Sequence, residues 1–124
     1  MKIKDYFQTA KGTGVLSTAD GEGRVNAALY AVPHFLDEKT VAFIMTDRLT
    51  HQNLQANPHA AYLFMEEGEP YKGRRLYLKK IREEKGGELM ESIRRKRYPE
   101  LEGKEFLVSF QVEKVLPLIG AGPG

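Results

Sequence analysis

The chain has 124 residues, 41% of them hydrophobic and 29% charged, a balance that fits one globular domain and neither a disordered segment nor two independent cores. Nineteen basic residues stand against 17 acidic ones, and the resulting net charge of +2 leaves no electrostatic footprint for nucleic acid or an acidic membrane. There is no cysteine, which excludes disulfides, thiolate nucleophiles, iron–sulfur clusters and cysteine-ligated zinc.

Residues 1–10 carry Lys2, Lys4 and Asp5 and lack the apolar centre of a signal peptide. No apolar run approaches a membrane span, so a cytoplasmic protein is the expectation. Residues 5–10 suit a short helical segment within the first twelve residues, its two aromatics plugging one end of a core. Residues 15–19 read as a strand, Asp20-Gly21-Glu22-Gly23 as a hairpin turn, and residues 24–32 as the returning strand, stopped by Pro33. After the polar turn 37–39, the nearly continuous apolar run 40–45 has the look of a strand buried on both faces.

From Thr46 to Asn57 the pattern predicts a short helix, with Asp47 or Thr50 as N-cap and Pro58 as its stop. Strands follow at 59–65 and 75–81, broken by Gly86-Gly87. A helix is expected over 88–97, its acids leading and its bases trailing as the macrodipole prefers, and Pro99 ends it. The last strand is 106–115, and residues 120–124 read as a flexible tail. About six strands with two or three peripheral helices make a mainly β, α+β barrel in one domain spanning 1–124.

Chemistry concentrates where the buried strand 40–45 runs into the helix. Helix-start amides, the forked cation Arg48 and the donors Thr50, His51 and Asn53 together resemble a phosphate cradle. The same residue types also serve elsewhere as ordinary caps and solvated charge. His34, His51 and His59 match no short ligand spacing, so no metal is expected. Ser17 and Ser109 lack a nucleophile-elbow motif. Arg94-Arg95-Lys96-Arg97 reads as a solvated helix end in preference to a polyanion site.

The segment Thr46 to Leu63, together with Gly14–Thr18, Arg24–Ala28, the Val41–Met45 strand and Gly73–Leu78, resembles the pyridoxamine 5'-phosphate oxidase-like, FMN-binding split β-barrels over roughly residues 13–115. That resemblance implies a homodimeric split β-barrel of antiparallel strands with FMN near the subunit boundary. It implies that the flavin phosphate is held by Arg48, Thr50 and His51, with Asn53 beside them. The ring would lie along Asn26, Ala27 and Ala28 and the strand end Met45-Thr46-Asp47. Many relatives place a lysine where this chain has Thr50, which leaves Arg48 alone unless Arg74 or Arg75 assists.

The chain has no tryptophan, so it departs from the C-terminal substrate clamp of true pyridoxamine-phosphate oxidases, and that reaction is not expected. No Gly-x-Gly-x-x-Gly fingerprint follows a strand. Three functions stay open: a flavin-dependent oxidoreductase acting with a small-molecule redox partner, a non-enzymatic electron carrier or flavin store, and a binding module for haem or another planar ligand. Neither nucleic acid nor membrane is an expected partner.

Overall fold

A computed structural model describes residues 2–120; the expected flexible tail, Gly120 apart, lies outside that range. Helix α1 (Ile3–Thr9) leads into β1 (Gly12–Ala19), β2 (Val25–Leu29), the two-residue β3 (His34–Phe35) and β4 (Thr40–Thr46). Helix α2 (Leu49–Ala56) follows, then β5 (His59–Glu66) and β6 (Gly73–Lys85). Helix α3 (Glu88–Ile93), a 3-10 turn at Pro99–Leu101 and β7 (Glu105–Pro117) complete the chain.

The seven strands form one antiparallel sheet in the order β2-β1-β5-β6-β7-β4-β3. Its two ends, β2 and β3, are separated in sequence only by residues 30–33. Laid flat, six inter-strand spacings would hold them roughly 29 Å apart. Four connecting residues reach about 17 Å at full stretch. The sheet therefore curls until its edges approach each other. Among the described residues no ladder joins β2 to β3, so the barrel stays split along that line.

Alternation along the strands builds the core. Leu16 of β1, Tyr62 and Phe64 of β5, and Leu76 and Leu78 of β6 point inward, where they meet Val41, Phe43 and Phe110. Phe7 of α1 plugs one end, edge-on to Phe64 with ring centroids 5.2 Å apart. A Cβ on Gly14 would fall on the Tyr62 hydroxyl and the Tyr30 carbonyl, so this wall closes only around glycine. β4 is buried on both faces as its run of apolar residues predicts. Val41 and Phe43 look into the barrel, while Ala42 packs outward with Leu107 and Met90 beneath α3. Among the described residues no helix is long and apolar enough to cross a membrane.

Several boundaries depart from expectation. β2 stops at Leu29, and β3, beyond Pro33, makes a seventh strand. Helix α3 ends at Ile93 instead of continuing to residue 97. Arg94 already has extended backbone, with ψ 134°. Two tertiary attachments hold the chain out of the helix there: Arg94 reaches Glu105, and Arg95 donates to the carbonyls of Val32 and Pro33. The basic run is therefore partly built into the fold, and it is not the fully solvated face its composition suggests.

Candidate functional site

A groove of about 680 Å³ opens at the split. Residues 26–30 form one wall and residues 44–46 of β4 the other, with Arg48, Leu49 and Thr50 closing one end. Tyr98 and Leu101 arrive from the segment ahead of β7, and Glu105 from the first position of that strand.

Both walls present unpaired backbone. Tyr30 donates to the Gly14 carbonyl at 3.0 Å and Asp20 to the Arg24 carbonyl at 2.9 Å. The alternation of an antiparallel ladder then turns the amides of Val25, Ala27 and Leu29 away from β1, toward the open side. Opposite them, β4 pairs with β3 only at Val41 and Ala42. Residues 43–46 consequently have no strand partner along that edge.

The third element is the head of α2. Arg48, not Asp47 or Thr50, occupies the N-cap, and no side chain caps the helix. The two expected caps are engaged elsewhere: Asp47 Oδ1 meets His51 Nδ1 at 2.8 Å, and the Thr50 hydroxyl accepts from the Asn26 amide at 3.3 Å. First-turn amides are left as donors beside the groove.

The groove is lined by one cation, Arg48, and one carboxylate, Glu105. Glu105 is paired with Arg94 at 2.9 Å, with side chains only 8% and 10% exposed respectively. Arg48 has no ion-pair partner among the described residues. Burial raises the Tyr30 phenol above its ordinary value, against the opposing pull of a hydrogen bond with Thr50 and the charge of Arg48.

Asn26, Ala27, Ala28, Met45, Thr46, Arg48 and Thr50 thus converge on the groove. His51, Asn53 and Asp47 do not line it. One residue past Thr50 the helix has turned about 100°, so His51 faces β6. Its Nε2 lies 2.9 Å from Glu83 Oε2, and its ring stacks on Phe106 with centroids 4.1 Å apart. Asn53 turns inward and donates to the Thr18 hydroxyl at 3.1 Å. Asp47 borders a neighbouring cavity of about 370 Å³, which shares Thr46, Arg48 and Leu101 with the groove.

Arg74 and Arg75 lie away from both cavities in the protomer. Arg74 covers the Tyr6 ring at 4.3 Å, and Arg75 donates to the Pro117 carbonyl at 2.9 Å. The cations that join Arg48 in the smaller cavity are Lys85 and Lys104, neither with an ion-pair partner among the described residues. Tyr30, Ile44, Leu49, Tyr98, Leu101 and Glu105 also escaped the sequence reading. Tyr30 was the one with a local signal, since it continues the Asn26, Ala28 alternation.

Neither a family model nor a curated protein sequence matches the chain. Solved structures do. An FMN-binding protein from Syntrophomonas wolfei subsp. wolfei superimposes with a TM-score of 0.80 at 19% identity, over 96% of this chain and 85% of that one. A candidate pyridoxamine 5'-phosphate oxidase from Listeria innocua gives 0.69 at 16% identity, over 94% and 95%. The chain has the fold of the pyridoxamine 5'-phosphate oxidase-like split barrels.

HutZ from Vibrio cholerae, described as a haem storage protein, shares this split barrel with a TM-score of 0.62 at 19% identity, over 93% of this chain and 91% of its own. At such identities the likeness is one of fold. The split barrel supplies the groove, and the chemistry must be argued from the side chains in it.

Proposed function

We propose that this split barrel is an FMN-binding flavoprotein of the oxidoreductase class. The observation that carries the reading is the meeting, at one groove, of two unpaired strand edges with an uncapped helix start and an unpaired arginine. An isoalloxazine edge carries carbonyl and ring-nitrogen acceptors, which the outward amides of Ala27 and Leu29 suit. The small side chains of Ala27 and Ala28 let that backbone come close. The phosphate falls to Arg48, the Thr50 hydroxyl and the first-turn amides of α2. Lys85 and Lys104 supply the further positive charge that a lysine at position 50 would have given. Bound flavin brings hydride and electron transfer, while these residues bind it and hold its ring.

The working form in this reading is a homodimer. Val25 and Leu29 on the edge strand are 82% and 76% exposed. The ladder registers put Leu29, Val15 and Leu63 in one row across β2, β1 and β5, and Ala27, Ser17, Ala61 and Tyr77 in the next. This is a largely apolar sheet face beside the groove, interrupted by Ser17 and bounded on β6 by Arg75, of the kind a second copy would cover.

A haem-binding reading finds support in the HutZ likeness. Within one protomer, however, none of the three histidines lines the groove, and an imidazole is the usual iron ligand. Flavin is therefore preferred.

The test is an absorbance spectrum after incubation with FMN and gel filtration. Flavin bands co-eluting at about one per subunit, and lost in Arg48→Ala, support the proposal. A colourless eluate refutes it. Turnover with NAD(P)H and an acceptor, above that of free FMN, then separates an enzyme from a carrier.

A further inference from the structure

A second cavity, of about 420 Å³, lies between α1, β3 and the chain that follows α3. It shares no lining residue with the groove. Lys4, His34 and Arg95 stand around it, and no carboxylate lines it among the described residues. Its apolar lining includes Val32, Phe35 and Ile93, with the buried Phe7 stacked against Phe35 at a centroid distance of 5.9 Å.

Arg95 is the unusual member. It lies within the basic run, yet its guanidinium turns back over the barrel edge and donates to the carbonyls of Val32 at 3.0 Å and Pro33 at 3.5 Å. Among the described residues it has no carboxylate partner, unlike Arg94 and Arg97. Burial pushes Arg95 below its ordinary value. Burial first, and the charge of Arg95 second, hold the His34 imidazole down at about 4. Arg95 is exposed to solvent on one side, yet its guanidinium is held over the cavity by two carbonyls and has no counter-charge among the described residues, and an anion placed between Arg95 and Lys4 would supply one.

We propose that this cavity is a binding site for a small carboxylate carrying an apolar, ring-sized body. The guanidinium fork matches a carboxylate, and the phenylalanine pair matches the body. A compact, fully hydrated dianion would leave the aromatic surface unused. The site is independent of the flavin reading.

Benzoate is the probe, followed through the His34 ring signals by NMR in flavin-free and flavin-loaded protein. Saturable shifts are expected, with the His34 pKa rising as the bound anion offsets Arg95. Benzyl alcohol, which keeps the ring and lacks the charge, should bind at least about tenfold more weakly, as should benzoate to Arg95→Ala. If Arg95→Ala fails to fold for want of its two carbonyl contacts, Arg95→Lys and Lys4→Ala carry the same comparison. No saturable shift in the tens of millimolar, equal binding of benzyl alcohol, or benzoate binding unchanged in the folded variants would overturn the proposal.

Discussion

The side-chain amide of Asn26, on the edge strand, donates to the Thr50 hydroxyl at the head of α2 across 3.3 Å. That bond ties the β2 wall of the groove to the head of α2, the parts assigned in the proposal to the flavin ring and its phosphate, so a change at either residue reaches both.

Under the proposed assignment Thr50→Val removes one phosphate donor, and it frees the Asn26 amide. FMN affinity should fall about tenfold, the worth of one charge-assisted hydrogen bond, while riboflavin affinity stays within about twofold. Flavin fluorescence titrations of both ligands decide it. Equal losses for the two would place Thr50 at the ring and not at the phosphate.

Charging the exposed edge should undo the dimer. Val25→Lys combined with Leu29→Lys puts two cations on the face assigned to the second copy. Light scattering should return a monomer for the variant and a dimer for the parent, with flavin retention reduced in parallel. A monomeric flavin-loaded parent would remove the dimer from the account.

His34 makes stability depend on mild acid. Its pKa falls from 6.5 in the ordinary state to about 4 in the fold, so the unfolded chain takes up the proton first. The contribution is fully present above pH 6.5 and drains away as pH falls toward 4, to a total of up to about 3 kcal/mol. Thermal melts at pH 7 and pH 4.5 should show a smaller acid loss in His34→Asn than in the parent. Equal losses would contradict it.

Glu83 works in a lower window. Burial tends to raise its carboxyl, but hydrogen bonds from Lys80, Gln55 and His51 outweigh this and hold it at about 2. Its contribution is present above the ordinary 4.5 and is lost as pH falls toward 2. Glu83→Gln should cost about 1–3 kcal/mol in chemical denaturation at neutral pH, with FMN affinity unchanged because neither Glu83 nor His51 lines the groove or the smaller cavity. A loss of flavin without a loss of stability would return His51 to the cofactor site.

How much of this was legible in the sequence depended on how far apart the cooperating residues lie. The strands with clean alternation, long apolar runs or a flanking turn signal, β1, β2, β4, β5, the first part of β6 and β7, were visible. β3 was not, because two residues after a proline carry no period. The far end of β6 was hidden by its charges, since Glu83 spends its carboxylate on His51 and Lys80 instead of on solvent. Within the site, the walls and Arg48 were readable as consecutive residues. Adjacency could not say that Thr50 faces the groove while His51 faces β6, a matter of one helical step. Tyr98, Leu101, Glu105, Lys85 and Lys104 reach the two cavities only through closure of the sheet, which leaves no local trace.

The pairing of β4 with β7, in which Thr46 faces Glu105, bears on how the protein comes into being. During synthesis, β5 can pair with β1 and then β6 with β5 as soon as each emerges, but β4, beyond its two-residue ladder with β3, must wait for the final strand. Such long-range closure is the slow step in β-rich folding. Because Glu105 and Leu101 belong to the groove, a nascent chain has no complete groove, and on the proposed function no complete cofactor site, until that step is done. Cofactor uptake would then mark a finished barrel, and FMN added during refolding should trap the closed state without hastening the early hairpins.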